Sequence, residues 1–308
     1  MWALILFLVL FLIFAAVIIY FFCFAFLRWN IGNFDDVNDP CNKVLGEFKD
    51  RIGKGIEHIN STPCKWVETY SFDGLKLSAR YFDNKQKNTI IFFHGYRSSA
   101  SRDFSCALKM YTDLNLNVLL VDQRAHGKSE GRLMTFGVKE SLDVLSWVDF
   151  LNKKYTPEKI VLSGMSMGAT TVLLAAGKKL PENVKAIIAD CGFTAPEEII
   201  KSVSEKFLKI KAGFLMPFIN LCCICFGGFS IKGVSTEKSL KENRLPVLLI
   251  HGEADTFVPC EMSRTAFASC DENCRLLTVP NAHHGMSFLV DEDKVKDEIK
   301  QFLTKWVY

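Results

Sequence analysis

The apolar positions divide the chain into three unequal parts. From Trp2 to Leu27 no side chain is charged, and nearly every residue is Leu, Ile, Val, Phe or Ala. At ~1.5 Å rise per residue such a run crosses a hydrocarbon layer of ~30 Å with room for tilt. A single-pass transmembrane anchor is therefore expected over residues 1–29. A cleaved signal peptide would show a basic start, an apolar run of ~7–15 residues and a small-x-small cleavage site, and none of these is clear here. Tyr20, Arg28 and Trp29 stand where interfacial anchors are found. Residues 30–64 are mixed and charged, which predicts a juxtamembrane linker with one short helix around Cys41–Ile59.

Beyond this the rhythm changes. Runs rich in β-branched and aromatic residues recur at Trp66–Phe72, Leu75–Phe82, Thr89–Phe93, Val118–Val121, Ile160–Leu162, Val184–Ala189, Val247–Ile250 and Leu276–Val279. Helical stretches at Ser101–Leu114, Gly137–Lys154, Met167–Lys179 and Asp293–Trp306 separate most of the later ones. The later runs are short and unalternated, as in strands covered by helices on both faces. The pattern predicts an α/β domain over 65–308, with a doubly wound, mostly parallel eight-stranded sheet. Between Cys191 and Pro246 no strand pattern appears, and Ala212–Ile231 carries no charge. A helical cap is expected there, about 192–245, with one face against lipid. A second span in this stretch would separate residues that the chemistry below needs together, and Pro217, Asn220, Gly227 and Gly228 interrupt it.

Composition changes this picture little. Lys and Arg number 37 against 34 Asp and Glu, with the two signs interspersed, so no basic stripe points to nucleic acid. The flanks of the span set no orientation, since Arg28 is followed by Asp35, Asp36 and Asp39, and no Lys or Arg precedes the span. The cysteines number 11 and form no zinc-spaced pairs. Cys222, Cys223 and Cys225 read as small hydrophobes. If the domain faces an oxidising space, Cys41 with Cys64, or Cys270 with Cys274, are the pairs a disulfide would join.

Candidate chemistry begins at Gly164-Met165-Ser166-Met167-Gly168, which follows a short apolar strand and opens a helix. That is the setting of a nucleophile elbow, whose serine needs a strained turn with small residues two places to either side. A serine hydroxyl requires a base and an orienting acid, in the chain order Ser, acid, His. Asp255 follows the apolar strand ending at Ile250, at the carboxyl edge where ligands bind, and is preferred over Glu253. In the loop after the last strand, His284 beside Gly285 is preferred over His283 as the base. The oxyanion donors are expected at the backbone amides of Met167 and Tyr96. His94 and His126 read as turn- and loop-packing residues, and His251 merely ends a strand. No metal or cofactor motif is present in the sequence.

Five motifs, His94-Gly95, Asp122-x-Arg124-Ala125-His126-Gly127-x-Ser129, the Ser166 pentapeptide, His251-Gly252-x-x-Asp255-x-x-Val258-Pro259 and His284-Gly285, occur in that order. Together they resemble the α/β-hydrolase superfamily, in particular its serine aminopeptidase-like and monoacylglycerol-lipase-like branch, across residues 65–306. Ala125 departs from the glycine usual there. The resemblance implies a Ser166–Asp255–His284 triad, a variable cap and an acyl-enzyme mechanism, with no cofactor. The apolar cap and anchor favour an apolar or lipid-like acyl ester over a free peptide, so a small-molecule or lipid acyl substrate and the membrane bilayer are the expected partners. The rivals are a peptidase, holding a substrate amine with Glu197, Glu198 and Glu205, and a non-catalytic binding module.

Overall fold

The computed structural model describes residues 1–28, 32–207 and 209–308, without the side chains of residues 40, 41, 43 and 44. Helix α1 (Trp2–Phe26) leads, and a 3-10 segment (Pro40–Phe48) runs into α2 (Lys49–Ser61). Then come β1 (Lys65–Tyr70), β2 (Lys76–Phe82), β3 (Asn88–Phe93), α3 (Ala100–Asp103), α4 (Leu108–Asp113), β4 (Leu116–Asp122) and α5 (Glu140–Lys154). The central part holds β5 (Lys159–Met165), α6 (Met167–Ala176), β6 (Val184–Asp190), α7 (Pro196–Phe207), α8 (Met216–Gly227) and α9 (Thr236–Glu242). The chain closes with β7 (Val247–Gly252), α10 (Glu261–Phe267), β8 (Cys274–Val279), α11 (Ser287–Val290) and α12 (Glu292–Trp306).

All eight predicted strands are present, in one sheet of order β1-β2-β4-β3-β5-β6-β7-β8. β1 and β2 pair antiparallel, as do β2 and β4, and every other pairing is parallel. β4 is buried at all seven positions, the burial its unalternated run predicts. Helices cover both faces: α5, α6 and α9 bury Trp147, Val172 and Leu240 on one, and α4 and α12 bury Tyr111, Ile299 and Phe302 on the other.

Four expectations need correction. The helix foreseen at 101–114 is broken between α3 and α4, because α2 crosses there: a Cβ on Gly55 would overlap the backbone of Ser105. Arg28, expected only as an interfacial anchor, also holds the body, since its guanidinium donates to the carbonyls of Gly127 (3.1 Å) and Ser129 (3.4 Å). Cys270 and Cys274 are thiols that hydrogen-bond to each other, not a disulfide. Cys225 is exposed, unlike its buried neighbours Cys222 and Cys223. Cys64 is a thiol as well, whereas the side chain of Cys41 and the whole of Trp29 lie outside the described residues.

The 30–64 segment and the cap stretch both touch the body. α2 buries Ile52, Ile56 and Ile59, and Ile59 enters the core below the sheet. α7 and α8 form the cap, whereas α9 lies back on α6, so close that a Cβ on Gly177 would stand 2.8 Å from Ser239 Cα. The end of α1 is joined to the domain by backbone bonds: Arg28 N donates to Arg132 O (2.7 Å) and Met134 N to Phe26 O (2.8 Å).

Candidate active site

β5 ends at Met165 and α6 starts at Met167, so Ser166 alone makes the turn, at φ 54° and ψ −115°. L-residues avoid that conformation, and tertiary contacts must hold it. Two glycines make the packing possible: a Cβ on Gly164 would overlap the backbone of Gly168, and one on Gly168 would overlap the Phe93 carbonyl. The Ser166 amide donates to Asp190 O (2.8 Å), tying the turn to β6, and its carbonyl accepts from Thr170 N (3.0 Å) as the first link of α6. Ser166 thus stands at a helix N-terminus, where unpaired amides favour negative charge.

The loops after β7 and β8 bring the other two residues to it. Ser166 Oγ lies 2.9 Å from His284 Nε2, and His284 Nδ1 lies 2.6 Å from Asp255 Oδ2. A carboxylate only accepts, so Nδ1 carries the ring proton and Nε2 is left to accept from the serine hydroxyl. Asp255 Oδ1 accepts from the amides of Phe257 and Val258, both at 2.8 Å. Burial pushes the Asp255 carboxyl up, but hydrogen bonds from His251, His284 and the backbone outweigh it and hold the group below the usual carboxylate range.

The rejected alternatives lie elsewhere. Glu253 accepts from Thr278 Oγ1 (2.7 Å) and faces Arg264 at the surface, and His283 is exposed. His94 Nε2 accepts from Gln123 N (3.2 Å), and His126 Nε2 accepts from Arg97 N (3.1 Å), both within loops. Burial, then His94, push His126 well below the usual histidine range. Glu197 and Glu198 pair with Lys201 at 2.8 Å and 3.2 Å. Neither they nor Glu205 lines the cavities at Ser166.

Three neighbours were not legible as site residues. His251 is fully buried, with Nε2 3.3 Å from Asp255 Oδ2 and 3.0 Å from Val258 O, and Nδ1 2.6 Å from Ser263 Oγ. The carbonyl places the proton on Nε2, so this ring is a second donor to Asp255. Its four-residue spacing from Asp255 was the available signal. Phe257 packs on the His284 ring at 5.1 Å. Burial, opposed by His251 and His284, raises the Asp190 carboxyl to about 6.

Among the described residues, Cys191, Asp255 and His284 are grouped with their donor atoms within 4.8 Å of one another. Burial, then Asp190 and Asp255, raise the Cys191 thiol well above its usual range, which keeps it protonated. The arrangement suits proton transfer better than metal binding.

On the oxyanion side, Gly95 N donates to Asp103 Oδ2 (2.7 Å), and a Cβ on Gly95 would stand 3.4 Å from that of Ser166. This lays the loop after β3 across the serine, with Tyr96 next in the chain. Met167 is fully buried. Ser166 sits where two cavities meet. One, of about 180 Å³, runs past Asp103 and Asp190 towards α2 and α12. The other, of about 240 Å³, lies under the cap among Tyr96, Phe136, Phe193, Ile199, Leu215 and Ile219.

Comparison with known proteins agrees with this architecture. A family model described as the α/β-hydrolase fold matches residues 88–222. The esterase Pf2001 of Pyrococcus furiosus superposes with a TM-score of 0.67 at 27% identity, over 82% of this chain and 94% of that one. The fold is that of the α/β hydrolases. The YqkD protein of Bacillus subtilis is 27% identical over 253 residues, 82% of each chain. Bem46 of Schizosaccharomyces pombe is 26% identical over 60% of this chain and 57% of its own. Within this fold, Ala125 adopts φ 62°, the left-handed conformation that glycine takes without strain. Arg124 beside it pairs with Asp143 (2.6 Å) and Asp73 (3.0 Å), fixing the loop from below.

Proposed function

We propose that this α/β hydrolase is a membrane-anchored serine hydrolase that cleaves apolar acyl esters. The observation that carries the reading is the Ser166–His284–Asp255 relay, 2.9 Å and 2.6 Å, opening onto the apolar cavity under the cap. Ser166 Oγ attacks the acyl carbonyl as its proton passes to His284 Nε2, and Asp255 stabilises the imidazolium. The amides of Tyr96 and Met167 take the developing negative charge on the carbonyl oxygen. His284 then protonates the departing alcohol, and water, deprotonated by the same ring, releases the acid and restores the serine. The Pyrococcus furiosus esterase at 27% identity supports ester chemistry. The pairing of Glu197 and Glu198 with Lys201 speaks against capture of a peptide amine. Among the described residues α1 is the one helix long and apolar enough to cross a bilayer, which supports anchoring.

The test is labelling by a fluorophosphonate probe. Wild type should label, and Ser166→Ala should not label and should lose ester hydrolysis by ~10³-fold or more. A long-chain monoacylglycerol should protect the serine better than an aminoacyl amide. A folded wild type that fails to label refutes the reading, and stronger protection by the amide replaces it with a peptidase.

A further inference from the structure

Two helices that the sequence treats separately, the anchor and the cap, run side by side. Phe14 meets Phe218 with ring centroids 5.0 Å apart, and Phe22 meets Phe226 at 6.0 Å, so α1 and α8 keep step in the same direction over eight residues. Only Trp2–Ile13 of α1 extends past this contact. At ~1.5 Å per residue that free part is ~18 Å long, short of the ~30 Å of a hydrocarbon core. If α1 spans, about eight more residues, Phe14 to Phe21, must also lie in hydrocarbon, and the start of α8 must lie there with them. The surface of α8 fits that solvent. Phe218, Leu221, Ile224 and Phe226 are exposed, as is Phe214 just before them. No charge occurs from residue 212 to 231, and the flanking Lys209, Lys211 and Lys232 are exposed, with stems long enough to reach headgroups.

The anchor and the cap as a whole wall the cavity beside Ser166. α1 contributes Phe21, Phe24 and Ala25, and the cap contributes Val203, Leu215 and Ile219. The anchor is fastened there through its last carbonyls, since Tyr96 Oη donates to Ala25 O (2.8 Å) and Arg97 to Phe24 O. Phe24 itself remains half exposed, so this side of the cavity is open along α1.

We propose that the cavity between α1 and the cap is an acyl-chain site open to the bilayer, that α8 lies in the leaflet beside the second half of the anchor, and that a membrane-resident ester slides its chain in sideways. The reaction itself rests on the hydrolase reading above, whereas chain capture does not. Full-length protein in phosphatidylcholine vesicles is illuminated with a non-hydrolysable monoalkyl glycerol ether bearing a diazirine at the chain end, and the adducts are mapped. The expected adducts are on Phe21, Val203 or Ile219 of the cavity and on Leu221 of the outer face. Adducts confined to Trp2–Ile13 would overturn the proposal, even if the serine proves active. In a second arm, Leu221→Asp/Ile224→Asp should keep turnover of a soluble butyrate ester within 2-fold of wild type and lower that of a vesicle-embedded long-chain ester at least 10-fold. Equal loss of both overturns access through the leaflet. Cavity adducts in a protein that hydrolyses neither ester would retain the chain site and reject the hydrolase.

Discussion

Helices α6 and α8 look alike in sequence and live in different surroundings. Both are short, free of charge and rich in Leu, Ile, Ala, Cys or Phe. All ten residues of α6 are buried between the sheet, α5 and α9. In α8 the buried residues are Met216, Ile219, Cys222, Cys223 and Gly227, a single stripe at helical spacing. A helix that is apolar all round belongs either in a core or in a non-aqueous solvent. The contrast teaches that composition marks both helices as hidden from water, and only the neighbours show which of them protein hides.

The largest test of that contrast is a matched pair of truncations. Leu173 in α6 is 1% exposed, whereas Leu221 in α8 is 56% exposed. Leu173→Ala should cost ~3 kcal/mol through lost transfer energy and the cavity left behind. Leu221→Ala should cost less than ~0.5 kcal/mol, since more than half of the surface of Leu221 is exposed and its removal opens no cavity. Denaturant unfolding in mild detergent measures both. Similar losses would mean that the outer face of α8 is packed against something in the protein, and the comparison would fail.

Charge separates the two helices next. α8 carries no carboxylate, whereas the elbow that starts α6 hangs on β6, where Asp190 is half-buried. Its carboxyl is raised from 3.8 to about 6, so between those values the folded protein holds a proton that the unfolded chain has released. Stability from this group is full below the lower value and is lost as pH rises through the upper one. Asp190→Asn should therefore gain ~2 kcal/mol over wild type at pH 8 and almost nothing at pH 4. Urea titrations of both proteins at the two pH values decide it. A gap of the same size at both would show that ionisation of Asp190 does not cost the fold stability.

Much of the body side of this comparison was legible in the sequence. Eight apolar runs became eight strands, because a parallel strand buried on both faces writes its environment directly into its residues. Ser166, Asp255 and His284 were legible for a similar reason: each follows a strand at the same sheet edge, and the two glycines around Ser166 answer a local steric need. What the sequence hid depends on distant partners. The break between α3 and α4 is made by Gly55, some fifty residues earlier. Arg28 reads as an interfacial anchor alone, and its hydrogen bonds to the loop at Gly127 show only in the structure. His251 looks like a strand end until Asp255 folds back on it. The contact of α1 with α8 left no local trace, since an apolar surface packed on protein and one facing lipid have the same composition.

The smallest test concerns backbone strain, which the two regions handle differently. α8 ends at Gly228, φ 63°, whose amide donates to Cys223 O and Ile224 O as a left-handed cap. The body places Ala125 at almost the same angle, φ 62°, fully buried and with its amide donating to Glu130 O (2.9 Å). Giving the cap a side chain, Gly228→Ala, should cost ~1 kcal/mol, the left-handed penalty of an L-residue. Taking one from the body, Ala125→Gly, relieves that penalty, loses a buried methyl and frees the unfolded chain, so the net change should stay within ~0.5 kcal/mol. Ala175→Gly is the control, since Ala175 is equally buried within α6, where loss of helix propensity alone costs ~1 kcal/mol. Thermal unfolding of the three variants ranks them. If Ala125→Gly falls as far as Ala175→Gly, the left-handed turn at Ala125 carries no strain, and the glycine usual in the superfamily serves some purpose other than backbone freedom.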